Sequence, residues 1–232
     1  DVCMKIAIRF GHMLTGADTG AVGYLKEAEV NRQYGPVVIK YLQIAGHEVI
    51  NCTPETASSV SDSLSKGVNK ANANKCDIFV SLHSNSSSDA NSSGCEVIYH
   101  HSSSVGRELA IRICKSISEK CGYYNRGAKS EQELGRDLYE LRATNMPAVI
   151  VEPFFVTNKA DCSKFDPEKL GKAVAEGIVG HDIREVKFVD VNQALKILVE
   201  KGVITTPEYW QTAANIVKYL DVLLINMAKK LV

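Results

Sequence analysis

The chain is 232 residues long, 45% hydrophobic and formally neutral, with 27 Lys+Arg against 27 Asp+Glu. That hydrophobic share permits a packed core and excludes a disordered or fibrous chain, while the charge balance excludes a chain-wide basic footprint, so nucleic acid is not an expected partner. No apolar run has the roughly 18 residues of a spanning helix, so no membrane insertion is expected.

The seven cysteines are scattered without CxxC or CxxH spacing, and most lie inside apolar runs. They read as reduced thiols rather than as a disulfide framework or a cysteine zinc site. "MKIAIRFGH" reads as a natural start with no basic-then-apolar leader before it. The expectation is synthesis in the cytoplasm without a signal peptide.

In chain order, "KIAIRF" is a strand that stops at Gly11 and His12. "EAEVNRQYGPVVIKYLQIAG" places Val30, Tyr34, Val37, Val38, Tyr41 and Leu42 at helical spacing, with Pro36 expected to delay or bend that helix. "HEVINCT" is strand-like, and "SSVSDSLSKGVNKANANK" is a polar helix with serine caps. "CDIFVSLH" is a nearly continuous apolar strand, as expected where both faces are covered. A Ser/Asn-rich loop follows, then strand "CEVIYHH", helix "SVGRELAIRICKSISEKCG", a loop, strands "DLYELR" and "AVIVEPFF", and helix "PEKLGKAVAEGIVG". This alternation predicts an α/β fold, a twisted and mostly parallel sheet flanked by helices on both faces.

Three segments follow from the texture of the sequence: a domain at 1–180, a linker at 181–190 and a helical module at 191–232. The module reads as two helices, with Thr206 as an N-cap and Pro207 at the first helical position. On the second, Trp210, Ala213, Val217, Leu220, Leu224, Met227 and Leu231 step by threes and fours. Such a seam serves packing on a neighbour, surface docking or a dimer contact.

Three predicted strands end in a residue able to bind metal or move a proton: His12, His83 and Glu152. Ligands collect at the carboxyl ends of strands in open α/β sheets, and Glu27, opening the first helix, can face the same rim. Two imidazoles and a carboxylate make a catalytic zinc set with one position left for water, and a further carboxylate can take that water's proton. A single histidine at a strand end is more often idle than functional. No HExxH occurs, His47 and His181 read as surface residues, and of the adjacent His100 and His101 only one can face the rim.

The ordered stretches "IAIRFGH", "GAVGYLKEAEVN", "DIFVSLHSNSS", "GCEVIYHH" and "NRGAKSEQELGRDLYELRATNMPAVIVEPFFVTN" resemble the zinc-dependent N-acetylmuramoyl-L-alanine amidases of bacterial cell-wall turnover. Within that family they are most similar to clostridial phage endolysins. The resemblance covers about residues 5–180 and makes 1–180 the catalytic domain. It implies one Zn2+ ion held by His12, Glu27 and His83, with Glu152 as the catalytic glutamate. The family's spacing to Asn31 favours Glu27 over Glu29. "NRGAK" resembles a wall of the substrate groove, so Arg126 and Gly127 are expected at the substrate with Asn85 and Leu141. Met13 and Leu14 stand where the family prefers small residues. The implied partner is peptidoglycan, cut between N-acetylmuramic acid and L-alanine at the wall, after holin release if the chain is an endolysin. The rivals are a non-catalytic wall-binding protein on the same fold and a zinc peptidase cutting the stem peptide. The module at 191–232 is expected to bind wall or to join a homo-oligomer.

Overall fold

Six strands form one sheet in the computed structural model, which describes residues 3–16, 18–184, 191–216 and 220–231. They are β1 Lys5–Phe10, β2 Glu48–Asn51, β3 Ile78–Leu82, β4 Cys95–Tyr99, β5 Asn125–Ser130 and β6 Ala148–Glu152. Their order is β2-β1-β3-β6-β4-β5, and every neighbouring pair is parallel except β4 with β6. The one reversal has a consequence for chemistry. The carboxyl ends of β1, β3 and β6 share a rim with the amino ends of β4 and β5.

Side chains alternate between the two faces of a strand, and here the two faces carry different loads. Ile6, Ile8, Phe10, Val80, Leu82, Val97, Val149 and Val151 join the larger core. It packs under helices α1 Glu27–Ile44, α3 Ser104–Cys121 and α6 Pro167–Val179. Ala7, Phe79, Ile98 and Ile150 face a smaller cluster, shared with Ala71 of α2 Val60–Ala73 and Leu141 of α4 Tyr139–Ala143. The same alternation turns Arg9, Ser81, Glu96 and Glu152 toward the thin face, all buried and all at the rim end of their strands. The short α5, Lys159–Ser163, follows the β6 loop.

Most predicted elements form. Ser59 and Ser103 cap α2 and α3 by accepting from the backbone N–H of Asp62 and Gly106. Helix α1 runs through Pro36 without ending, at the cost of one i→i−4 hydrogen bond. Two expectations fail together. "DLYELR" is not a strand: its last four residues belong to α4, where Leu141 is buried in the smaller cluster beside the buried Glu140. The sixth strand is instead β5 in "NRGAKS", within the segment expected to be a loop. It is a polar, half-exposed edge strand, so it lacks the apolar alternation that marks a covered one.

The chain divides into two compact units, Asp1–Ile183 and Arg184–Val232. The second contains α7 Val191–Glu200, α8 Pro207–Ile216 and α9 Leu220–Lys229. Its cluster joins Ala194, Leu195, Leu198, Ile204, Leu224 and Ala228, with Trp210 and Leu220 partly buried against it. The predicted long second helix is thus described as α8 and α9, and Val217 lies outside the described residues. Leu224 follows the predicted seam, but Met227 and Leu231 are exposed and Ala228 is buried in their place. On α9 the buried row therefore advances by four, through 220, 224 and 228, rather than alternating three and four. No helix among the described residues is long and apolar enough to cross a membrane.

Candidate active site

His12 follows β1 at φ 64, a left-handed conformation that few non-glycine residues adopt. Helix α1 secures it. Arg32 donates through Nη2 to the His12 carbonyl at 2.6 Å, and the Asn31 amide donates to the Gly11 carbonyl at 3.2 Å. Tyr34, one turn on, donates its hydroxyl to the His83 carbonyl at 2.9 Å, fixing the end of β3. Gly11 lets the two loops close up: a Cβ there would stand 2.5 Å from the His83 ring. Gly20 does the same beside His12, where a Cβ would fall 2.7 Å from Cδ2 of the ring.

These supports bring three donors to one point. His12 Nε2 lies 3.2 Å, and His83 Nδ1 3.0 Å, from the same Oε1 of Glu27, and the two rings meet edge to face at 4.8 Å. Glu27 opens α1 and is buried. Its Oε2 accepts from the Ala21 N–H at 2.9 Å, and Oε1 accepts from the Ser84 N–H at 3.2 Å. Burial pushes its pKa up, but His12 and His83 more than reverse that and hold it well below the usual carboxylate range. Glu29, the sequence's other candidate, is exposed and pairs with Lys26 at 2.9 Å. A carboxylate and two imidazoles with ligand atoms within 4.8 Å of one another match in type the nitrogen and oxygen donors that zinc takes.

The outer nitrogens of both rings face carboxylates as well. Asp18 Oδ1 lies 2.6 Å from His12 Nδ1, and Glu140 Oε2 lies 3.7 Å from His83 Nε2. Burial alone would lower the pKa of His83, yet Glu140 and Glu27 raise it to about 10. Burial also raises the pKa of Glu140, but Arg9 and then His83 and Ser81 bring it below its usual value. None of Asp18, Glu140 and Arg9 stood out in the sequence as a site residue. The readable signal was Arg9, a charge inside the apolar run of a buried strand, which demands a buried acid.

Glu152 ends β6 fully within the site, and its Oε2 is buried without a hydrogen-bond partner. Burial, with Glu27 and Glu96 adding to it against His83 and Arg136, pushes its pKa up to about 8. Across the antiparallel pair Glu96 stands beside it in register. Glu96 accepts from Asn85 Nδ2 at 2.8 Å, Arg126 Nε at 2.8 Å and Lys129 Nζ at 2.7 Å. A pocket of about 390 Å³ opens over these groups, lined by His12, Glu27, His83, Asn85 and Glu152, with Arg136 to Glu140 as its far wall.

The other expected groove residues divide. Arg126 stands behind Glu96 with its guanidinium 5.0 Å from the Phe155 ring, and Gly127 at φ 87 follows it where β5 slips register against β4. Neither lines the pocket, and Leu141 is in the smaller core rather than at a groove, because the one-turn helix turns it inward. Met13 is also buried while Leu14 is exposed, so the bulk after His12 does not line the pocket. His100 and His101 follow β4 at the end of the sheet away from the rim, with Glu131 Oε1 2.6 Å from His101 Nδ1. Neither can contribute to the site.

Comparison with known proteins identifies the family and the fold. Residues 6–181 match the family described as N-acetylmuramoyl-L-alanine amidase. An uncharacterized protein of Clostridium perfringens is 36% identical over 187 residues, 78% of this chain and 53% of its own length. The N-acetylmuramoyl-L-alanine amidase LytC of Bacillus subtilis is 30% identical over 71% of this chain and 33% of its own. The chain thus spans about half or less of these curated relatives. Among solved structures, the catalytic domain of the CD27L endolysin targeting Clostridia difficile superposes with a TM-score of 0.69 at 32% identity, covering 78% of this chain and 99% of that one.

Proposed function

The chain belongs to the N-acetylmuramoyl-L-alanine amidase family, and on that premise we propose that it hydrolyses the amide joining the lactyl group of N-acetylmuramic acid to L-alanine in peptidoglycan. One observation carries the reading: His12 Nε2 and His83 Nδ1 converge on one oxygen of Glu27, in a pocket that also holds Glu152. These three donors would hold one zinc ion. When bound, zinc supplies Lewis-acid polarisation of a carbonyl and lowers the pKa of water from about 15.7 to about 7.

The rest of the chemistry belongs to the chain. Glu152 is buried, and its pKa of about 8 lies close to neutral pH, which suits a group that both takes and gives a proton. It accepts the proton of the attacking water as the new C–O bond forms. It then delivers that proton to the L-alanine nitrogen as the C–N bond breaks, so the products are the lactyl carboxylate and a free amine. An amide nitrogen leaves poorly unless protonated, which is why one residue serves both steps. Asn85 lines the pocket and is aimed by Glu96, so it orients substrate or ligand. Arg126 donates its Nε to the same Glu96 from outside the pocket lining, and its remaining guanidinium donors are a planar fork that a stem-peptide carboxylate reaching beyond the pocket would engage.

Mass spectrometry of digested cell wall tests the reading. Release of intact stem peptides with a free L-alanine amine supports it. Shortened peptides would assign the site to a peptidase, and no release at all would leave a wall-binding protein.

The likeness to an endolysin catalytic domain supports a phage role, with the chain made in the host cytoplasm and reaching the wall through a holin. Lysis of expressing clostridia only when a holin is co-expressed tests that. The second unit is read as a wall-binding or self-association module. Loss of wall sedimentation, or a halved mass in solution, on ending the chain at residue 183 distinguishes the two.

A further inference from the structure

We propose that Glu140, braced by Arg9, is a positioning residue that orients the His83 imidazole toward the metal from the side opposite Glu27. The inference rests on the zinc reading of this site. Three observations on α4 and its neighbours carry it.

First, the two oxygens of Glu140 do different things. Oε1 accepts from Ser81 Oγ at 3.0 Å and pairs with Arg9 Nη1 at 3.1 Å. Oε2 takes part in neither and stands 3.7 Å from His83 Nε2. A plain counter-ion for Arg9 accounts for Oε1 and leaves Oε2 unexplained. Second, His83 Nε2 is buried with no hydrogen-bond partner, a state that native structures rarely leave standing. The gap to Oε2 exceeds a hydrogen bond, and Oε2 is the carboxylate oxygen that faces this nitrogen. Third, the partner imidazole has the same arrangement already closed. His12 presents Nε2 to Glu27 and Nδ1 to Asp18 at 2.6 Å. Metal-binding histidines characteristically pass their second ring N–H to a carboxylate, which fixes the tautomer and the ring plane.

Arg9 completes the device. It is fully buried on the thin face of the sheet, its Nη2 donates to Ser63 Oγ of α2 at 2.8 Å, and Gly67 of α2 leaves room for its stem, since a Cβ there would meet Arg9 Cδ at 2.7 Å. Two strands and helix α2 therefore hold Glu140 in place. Its carboxylate is delivered to the one nitrogen of His83 that does not face Glu27.

The test compares the unmodified chain with E140Q and with the double variant R9M/E140L, which removes both charges so that neither is stranded in the fold. Zinc affinity is measured by competition with a chromogenic chelator, and the His83 Nε2–H proton of the zinc-loaded chain is followed in long-range 1H–15N spectra by its shift and its exchange with water. Both variants should keep a cooperative unfolding transition yet bind zinc roughly 10- to 100-fold more weakly, and the Nε2–H proton should move upfield and exchange faster as its carboxylate acceptor is lost. Affinity and Nε2–H signal in the double variant matching the unmodified chain would reduce Glu140 to the counter-ion of Arg9 and overturn the inference. Zinc uptake indifferent to E140Q, with the Nε2–H signal unchanged, overturns it too. Failure of the unmodified chain to bind zinc overturns the metal reading itself, a distinguishable result.

Discussion

Among the described residues there are two groups of identical make-up, each two histidines and a glutamate. One, His12, Glu27 and His83, lies at the rim, with Glu27 buried at 5% exposure and both rings aimed at a single oxygen. The other, His100, His101 and Glu131, lies at the far end of the sheet, and its rings stack on one another at 4.5 Å. In the far group Glu131 accepts from both the backbone N–H and Nδ1 of His101, so its oxygens are already taken up by one residue. The His101 side chain is 48% exposed. At the rim each ring has one nitrogen for the shared point and a carboxylate facing the other. Composition is the same. What differs is that four elements of the fold fix the rim rings, while the far rings stand side by side on one turn, partly open to solvent.

If the rim group is the working one, the largest effect belongs to the residue that moves the proton. Glu152→Gln should lower kcat by about 10²–10⁴-fold while zinc content by elemental analysis stays at the unmodified level. Retained wall lysis with zinc bound would break the comparison at its root. A second variant acts through space rather than chemistry. Gly11→Ala places a methyl 2.5 Å from the His83 ring and forces it off the shared point. Overpacking of this kind costs about 1–3 kcal/mol, so a lower Tm should accompany weaker zinc binding, whereas Gly46→Ala, strained at φ 88 but with no neighbour within 4 Å, should lower Tm and leave zinc binding unchanged.

The sequence made the rim visible because three of its strands end on a polar residue after an apolar run, and that pattern needs no knowledge of neighbours. Residues that reach the rim by other routes were not visible. Glu96 sits near the start of its strand, and only the reversed direction of β4 brings that end beside Glu152. Glu140 rides on a five-residue helix, too short to show a helical period, so "DLYELR" read as a strand. Leu141 went astray for the same reason. The polar β5 was unreadable because an edge strand is not obliged to alternate. The choice between Glu27 and Glu29 follows from burial: one carboxylate can reach the rings only if the next acidic residue on the helix turns away to Lys26.

Proton linkage gives a smaller and more graded effect. His83 has its pKa raised to about 10 in the chain without metal, because Glu140 and Glu27 overcome the opposing effect of burial. A zinc ligand must be the neutral imidazole, so binding at neutral pH releases that proton. The apparent zinc Kd should therefore rise as pH falls, approaching tenfold per unit between about pH 9 and 7. The sign reverses for stability without metal. A group raised from 6.5 in the unfolded chain to about 10 in the fold stabilises fully below 6.5 and loses that contribution as pH climbs through 10. Denaturant melts in EDTA across this window should show falling stability, and a flat profile would remove His83 from the account.

The smallest effect is the one expected at the far group. His101→Ala removes a half-exposed ring whose ion pair with Glu131 faces solvent on one side, and exposed pairs of this kind contribute about 0–1 kcal/mol. Its ring lies at least three residues of strand beyond the level of Glu152, about 10 Å at 3.3 Å per residue. Activity and tight zinc binding should both stay within about twofold of the unmodified chain. The variant tests the comparison because Glu131 also begins the segment whose later residues, from Arg136 to Glu140, line the pocket. Arg136 donates its backbone N–H to the Glu131 carbonyl at 2.9 Å, so a disturbed Glu131 has a path to the pocket wall. A tenfold loss of activity in His101→Ala with zinc affinity unchanged would show that the far group shapes that wall. The two groups would then be coupled through the 131–140 segment rather than independent.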